Sequence, residues 1–101
     1  MRRFPCPTLD GHVELTDERE AHICARHPDL LPAHIDELAR TIAEPDSLVP
    51  AFVGAKRLFV RWAATIRGGC YVVTVVVTDS GAPARHWVVT AYLSRRAPDG
   101  D

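Results

Sequence analysis

Residues 70–79 read Cys-Tyr-Val-Val-Thr-Val-Val-Val-Thr-Asp, and residues 85–94 read Arg-His-Trp-Val-Val-Thr-Ala-Tyr-Leu-Ser. β-Branched and aromatic residues dominate both stretches, as suits a pleated, half-buried surface. Ser80-Gly81-Ala82-Pro83 separates them with turn chemistry. One step upstream, residues 57–66 read Arg-Leu-Phe-Val-Arg-Trp-Ala-Ala-Thr-Ile, and Gly68-Gly69 divides that run from Cys70. Three strand-like runs joined by two short glycine-bearing breaks predict an antiparallel meander.

Upstream of the meander the periodicity changes. Thr16 and Asp17 are both N-cap residues by type, and Asp17 with Glu20 resembles a capping box. A helix is expected from there to about His27, where Pro28 disfavours helical geometry at the preceding residue. Pro32 suits a first helical position. Ile35, Leu38, Ala39 and Ile42 then fall on one stripe of a second helix, which Pro45 ends. Residues 46–56 read as a connection with Gly54 as its flexible point. His12 to Leu15 alternates polar and apolar, so it can add one short strand. The expected fold is α+β: two N-terminal helices packed on a twisted antiparallel sheet of three to four strands. The expected boundaries are an extended arm over 1–11, one domain over 12–96 and a flexible tail over 97–101.

A chain of 101 residues supports one core without needing a metal or a disulfide. Its hydrophobic fraction of 47% and charged fraction of 25% are ordinary for a globular protein. Cys6, Cys24 and Cys70 are odd in number and form no C-x-x-C pair, which points to a reducing compartment, the cytoplasm. No stretch is long and apolar enough to span a bilayer, so no membrane partner is expected. Residues 1–50 hold 5 Lys and Arg against 10 Asp and Glu, whereas residues 51–101 hold 7 against 3. The net charge of −1 therefore conceals a basic strand half able to present a cationic face.

Chemistry-bearing residues follow from the two periods. On the first helix His22 and Arg26 share a face. His22 sits at the border of the apolar side, where an imidazole can titrate near neutral pH. His27, at a helix C-terminus, suits the macrodipole. In the first long strand Arg57, Phe59, Arg61 and Ala63 share one face, and Leu58, Val60, Trp62 and Ala64 the other. Arg61 has apolar chain neighbours, so it either reaches out to water or is kept for an anion. Lys56 and Arg57 add charge at the strand entrance. In the last strand His86, Val88, Thr90, Tyr92 and Ser94 share a face, while Trp87, Val89, Ala91 and Leu93 form an apolar face expected to meet the helices. The five histidines are dispersed, with no H-x3-H or C-x2-C pair, no phosphate-binding glycine loop and no dinucleotide fingerprint. Neither a metal nor a cofactor is expected.

The order Glu-Arg-x-x-His-Ile-x-x-Arg-His-Pro over residues 18–28, then Asp29-Leu30-Leu31, then Glu44-Pro45-Asp46, then Val-Val-Thr-Ala-Tyr over 88–92, resembles the small bacterial and phage-linked domains of the barnase, EndoU, colicin and RelE-like nuclease fold. The resemblance covers about residues 12–96. It implies a metal-independent endoribonuclease, a toxin or phage-derived effector, that cleaves RNA through its 2′-hydroxyl to a 2′,3′-cyclic phosphate. In that reading His22 is the general acid or base. Arg61 stabilises charge on the phosphate. Thr90 orients a phosphate oxygen, and Tyr92 bonds or stacks on a base. Arg26, Lys56, Arg57 and His86 would help to bind the substrate. RNA, with an antitoxin or immunity protein, is the implied partner.

Two other readings compete. The same fold can serve as a non-catalytic module that binds a protein or RNA, which the acidic first half favours. A strand edge could also join copies of the chain. Catalysis has a strict geometric requirement: His22, Arg61 and the hydroxyls of Thr90 and Tyr92 must open into one hollow.

Overall fold

The computed structural model describes residues 1–50 and 55–98. The elements are β1 (Arg2–Cys6), a 3-10 turn (Pro7–Leu9), β2 (Gly11–Leu15), α1 (Asp17–Arg26), α2 (Ile35–Ala43), β3 (Ser47–Pro50), β4 (Lys56–Ala63), β5 (Cys70–Thr78) and β6 (His86–Ser94). The fold is α+β and the meander lies where its pattern predicts it, but the two helices are not N-terminal, because β1 and β2 precede them.

The sheet is larger than expected. It has six strands in the order β1-β2-β6-β5-β4-β3, with every neighbour antiparallel except β2 and β6, which run parallel. Two segments read as irregular supply the extra strands. The arm over 1–11 contains β1, which pairs with β2 from Arg2↔Leu15 to Cys6↔Gly11 and buries Phe4 and Cys6. Its prolines do not prevent this, because Pro5 sits on an edge strand, where one row of N–H groups has no partner to lose. The connection over 46–56 contains β3, paired with β4 from Ser47↔Val60 to Pro50↔Arg57. Gly54, expected to be its flexible point, lies outside the described residues, as do residues 99–101 of the expected tail.

α1 is capped by Thr16, whose hydroxyl accepts the Arg19 N–H at 3.2 Å. The cap is thus one residue earlier than the Asp17–Glu20 box. α2 begins at Ile35 rather than Pro32, because residues 28–34 form turns that bury Leu30 and Leu31. Ile23 of α1 and Leu38 and Ile42 of α2 join Phe59, Val72, Val76, Val88 and Ala91 in one apolar core.

α2 packs against β1 as well as β4 and β5, and α1 against β6. β1 and β4 are four positions apart in the strand order, about 19 Å in a flat sheet. α2, nine residues and about 13.5 Å long, bridges them. β2 and β6 share a single paired position, Glu14↔Trp87. Beyond that point α1 takes over the edge of β6, and the Arg19 guanidinium donates to the Val89 carbonyl at 3.3 Å.

Candidate functional site

Register divides the side chains of the sheet between two faces. Phe59, Thr74 and Ala91 form one cross-strand row under the helices, and Val60, Val73 and Tyr92 form the next row on the opposite face. Val60 is 1% and Val73 0% exposed, yet neither belongs to the helix-side core. Both have close neighbours on that face. Those neighbours are Leu58, Val75 and Thr90 on one side, and Trp62 opposite Tyr71 on the other.

Alternation along β6 fails at one position, and that failure shapes this face. Val75 pairs with Thr90 but Val76 pairs with Val88, so Val89 is an extra residue in a β-bulge. The bulge reverses the phase. Val88 enters the helix-side core and His86 moves to the same side, while Trp87 joins Thr90 and Tyr92 on the outer face. The apolar face expected from Trp87, Val89, Ala91 and Leu93 is therefore split. The outer face carries four aromatic side chains: Trp62, Tyr71, Trp87 and Tyr92. Trp62 is 45% exposed and meets Tyr71 edge-on, with ring centroids 5.0 Å apart.

The sheet separates the residues expected to act together. Arg61 lies on the helix side, where its Nη1 is 3.4 Å from Glu37 Oε2 of α2. Thr90 and Tyr92 lie on the opposite face, because Arg61 pairs with Val72 whereas they pair with Val75 and Val73. The single hollow required for catalysis does not form. The apolar chain neighbours of Arg61 had left water and an anion as its destinations, and the anion is a carboxylate of the protein itself. His22 is half-buried on α1, beside β6. From that helix His27, not His22, meets Tyr92, with ring centroids 6.0 Å apart.

Of the four expected substrate-binding residues, Arg57 and His86 come together and the other two stand apart. Lys56 stands on the outer face in the row of Val77 and Trp87. Arg57 is on the helix side and donates to Thr78 Oγ1 at 3.4 Å, and that oxygen lies 2.8 Å from His86 Nδ1. Arg26 is exposed in the last turn of α1. Among the described residues no three His, Cys, Asp or Glu side chains gather where they could share a metal ion. No described helix is long and apolar enough to cross a membrane.

Where β5 begins and β6 ends, the sheet carries a pocket of about 340 Å³ lined by Arg67, Gly69, Cys70, Leu93, Ser94 and Arg95, with Cys70 and Leu93 on the helix side. Gly69 has a φ of +117°, and a Cβ built on it would run into Cζ2 of Trp62. Only glycine allows the indole to lie this close to the backbone. Arg67 is held by Asp29, Nη2 to Oδ2 at 2.8 Å. The Ser94 hydroxyl donates to the Arg96 carbonyl at 2.7 Å and accepts the Arg96 N–H at 3.2 Å, so Arg95 stands at the apex of a fixed turn. Burial raises the thiol of Cys70 above its ordinary pKa, an effect that Arg67 partly offsets.

Sequence reasoning placed Trp62 with Leu58 and Val60 but assigned it no role. No local signal paired it with Tyr71, because a two-residue turn at Gly68-Gly69 would set Trp62 opposite Val75, whereas the hairpin turns over residues 64–69. For Trp87 no local signal existed, because its side depends on the bulge. No protein-family model, curated protein or solved structure significantly matches the chain, so the resemblance to the barnase, EndoU, colicin and RelE-like fold stands on the quoted motifs alone.

Proposed function

We propose that the chain is a non-catalytic module that binds single-stranded RNA on the outer face of its sheet. The observation that carries this reading is the set of four aromatic side chains on the face opposite the helices, Trp62 exposed and Tyr71, Trp87 and Tyr92 half-buried. Bases offer flat π-surfaces, and stacking on aromatic side chains contributes about 1–3 kcal/mol per base with little regard to sequence. Sheet faces carrying aromatics serve single strands because unstacked bases can splay across them.

Charge supports the same partner. Lys56 marks one end of the face, and Arg95 and Arg96 follow the other end of β6. None of the three has an acidic partner among the described residues. Glu14, the carboxylate that reaches this face from β2, is neutralised by Arg85 at 2.7 Å. Asp46, beside Trp62, accepts that residue's backbone N–H at 2.7 Å.

The test is fluorescence anisotropy with a labelled single-stranded RNA decamer. Trp62→Ala is expected to weaken binding roughly 5- to 100-fold, the loss of one stacked base, while the far-UV circular dichroism stays unchanged. Equal binding by the parent and this variant would remove the proposal. Total RNA incubated with the protein in EDTA is expected to survive. Cleavage by the parent but not by His22→Ala would instead restore the ribonuclease reading.

A further inference from the structure

We infer that the pocket at Trp87 is a base-reading site on the outer face, one that takes a nucleobase bearing an exocyclic amino group and disfavours uracil. This inference rests on the RNA reading above and adds to it a preference among bases.

The pocket has a volume of about 210 Å³ and is lined by Glu14, Thr16, Asp79, Arg85 and Trp87. It belongs to the face that carries the aromatic side chains. Trp87 stands in the outer row with Val77 and Lys56, and Glu14 is its partner across the junction of β2 and β6. The indole gives the pocket a flat apolar wall suited to the π-face of a base. Such a wall does not choose among bases, because every base has a π-face. The choice falls to the polar atoms beside it.

Those atoms are mostly acceptors. Two carboxylates and one guanidinium line the pocket, for a net charge of −1. Arg85 Nη2 donates to Glu14 Oε1 at 2.7 Å, and the Glu14 side chain is only 16% exposed. That bond fixes the carboxylate while engaging one of its two oxygens. Asp79 repeats the pattern, since its Oδ1 accepts the backbone N–H groups of Arg85 and Gly81 at 2.8 and 3.0 Å. Among the described residues neither Glu14 Oε2 nor Asp79 Oδ2 accepts a hydrogen bond. An ionised carboxylate accepts and never donates.

The bases answer such oxygens differently. Adenine, cytosine and guanine each carry an exocyclic NH2, a donor that Asp and Glu can accept from. Uracil carries two carbonyl oxygens and a single ring N–H. Its carbonyls would set acceptor against acceptor and leave the carboxylates unpaired, and an unpaired polar group discriminates more strongly than a missing apolar contact. Lys56 lies in the row of Trp87, two strands away, about 10 Å in a flat sheet. A cation therefore stands within reach of a phosphate adjoining the base in the pocket.

The experiment measures four labelled RNA decamers by fluorescence anisotropy: one all uridine, and the same strand with a single central A, C or G. Each is tested against the parent, Asp79→Asn and Glu14→Gln. The parent is expected to bind amino-bearing strands roughly 10-fold more tightly than the uridine strand, as for one hydrogen bond to a charged group. The three substituted strands show which amine is read. In Asp79→Asn the side-chain carbonyl can still accept both loop N–H groups, while the other oxygen becomes an amide NH2, a donor. The preference should then vanish or turn toward uridine. Glu14→Gln makes the same exchange on the other carboxylate, and it carries the test if Asp79→Asn loses its far-UV circular dichroism.

A preference for at least one amino-bearing strand that either substitution abolishes supports the pocket. Equal affinity of the parent for all four strands, or tighter binding of the uridine strand, would overturn it while leaving the RNA reading intact. A preference that survives both substitutions would overturn it as well. If none of the strands binds, the RNA reading falls and the pocket falls with it.

Discussion

At the scale of single residues, the most exacting positions are those where a side chain faces away from what it could bond. Thr74 sits in the row between Phe59 and Ala91 under the helices. It is 0% exposed, and its hydroxyl has no hydrogen-bond partner. A buried hydroxyl left unpaired costs about 1–3 kcal/mol in lost hydration. Thr74→Val keeps the branched shape and removes the oxygen. It should therefore stabilise the fold by about 1 kcal/mol, raising the melting temperature by about 4–8 °C for a domain of this size. Thermal denaturation followed by circular dichroism reads this directly, and an unchanged or lower melting temperature would mean that the hydroxyl has a partner after all. Arg61 is the opposite case, a charge whose partner Glu37 is supplied from another element. That pairing explains why an arginine is tolerated between Val60 and Trp62 without any ligand.

At the scale of elements, turns and bulges decide which side chains a strand presents. The loop from β5 to β6 is organised by Asp79. Its Oδ1 accepts the backbone N–H groups of Arg85 at 2.8 Å and Gly81 at 3.0 Å. These two bonds, the Arg85 bond foremost, hold the carboxyl below its ordinary pKa. The sign of the linkage follows. A carboxyl whose pKa is lowered by folding stabilises the fold at pH values above the unfolded value, near 4, and that stabilisation is lost as pH falls through the folded value. Asp79→Ala should therefore lower the urea midpoint at pH 7 and lower it by less in strong acid, below both values. A difference that is constant across pH would place the stabilisation elsewhere. The bulge at Val89 acts in the same hairpin. It delivers Trp87 to the outer face and Val88 to the core, an exchange no residue of the strand could make alone.

At the scale of the whole molecule, the uneven charge of the two halves becomes a spatial asymmetry. Much of the acid of the first half is engaged: Glu37 with Arg61, Glu20 with Arg2, Asp29 with Arg67 and Glu14 with Arg85. The cations without acidic partners among the described residues include Lys56, before β4, and Arg95 and Arg96, after β6. If these contact phosphates, binding must weaken with salt, with log K falling by about 0.7 per contact per unit of log salt for a single strand. Lys56→Ala should then reduce both the affinity and that slope, the slope by about 0.7. A lowered affinity with an unaltered slope would assign Lys56 a role other than phosphate contact. Lys56→Ala and Trp62→Ala should thus separate cleanly, one through salt dependence and the other through stacking.

What could be read locally was read from composition and periodicity. The β-branched and aromatic content of residues 57–66 and 70–79, the Gly68-Gly69 break and the stripe of Ile35, Leu38, Ala39 and Ile42 pointed to strands, hairpin and helix, because each depends on neighbours a few positions away. β1 and β3 were invisible for the complementary reason. Short, proline-bearing segments have no strong period of their own, and pairing across the sheet is what makes them strands. The site was less legible than the fold. Local spacing shows which residues of β4 share a face, but not which face the helices cover, nor that a bulge reverses β6. Those depend on where α1 and α2 pack and on how β6 pairs with β5, so only the tertiary structure could put Arg61 beneath a helix and bring Trp62, Tyr71, Trp87 and Tyr92 to the opposite face.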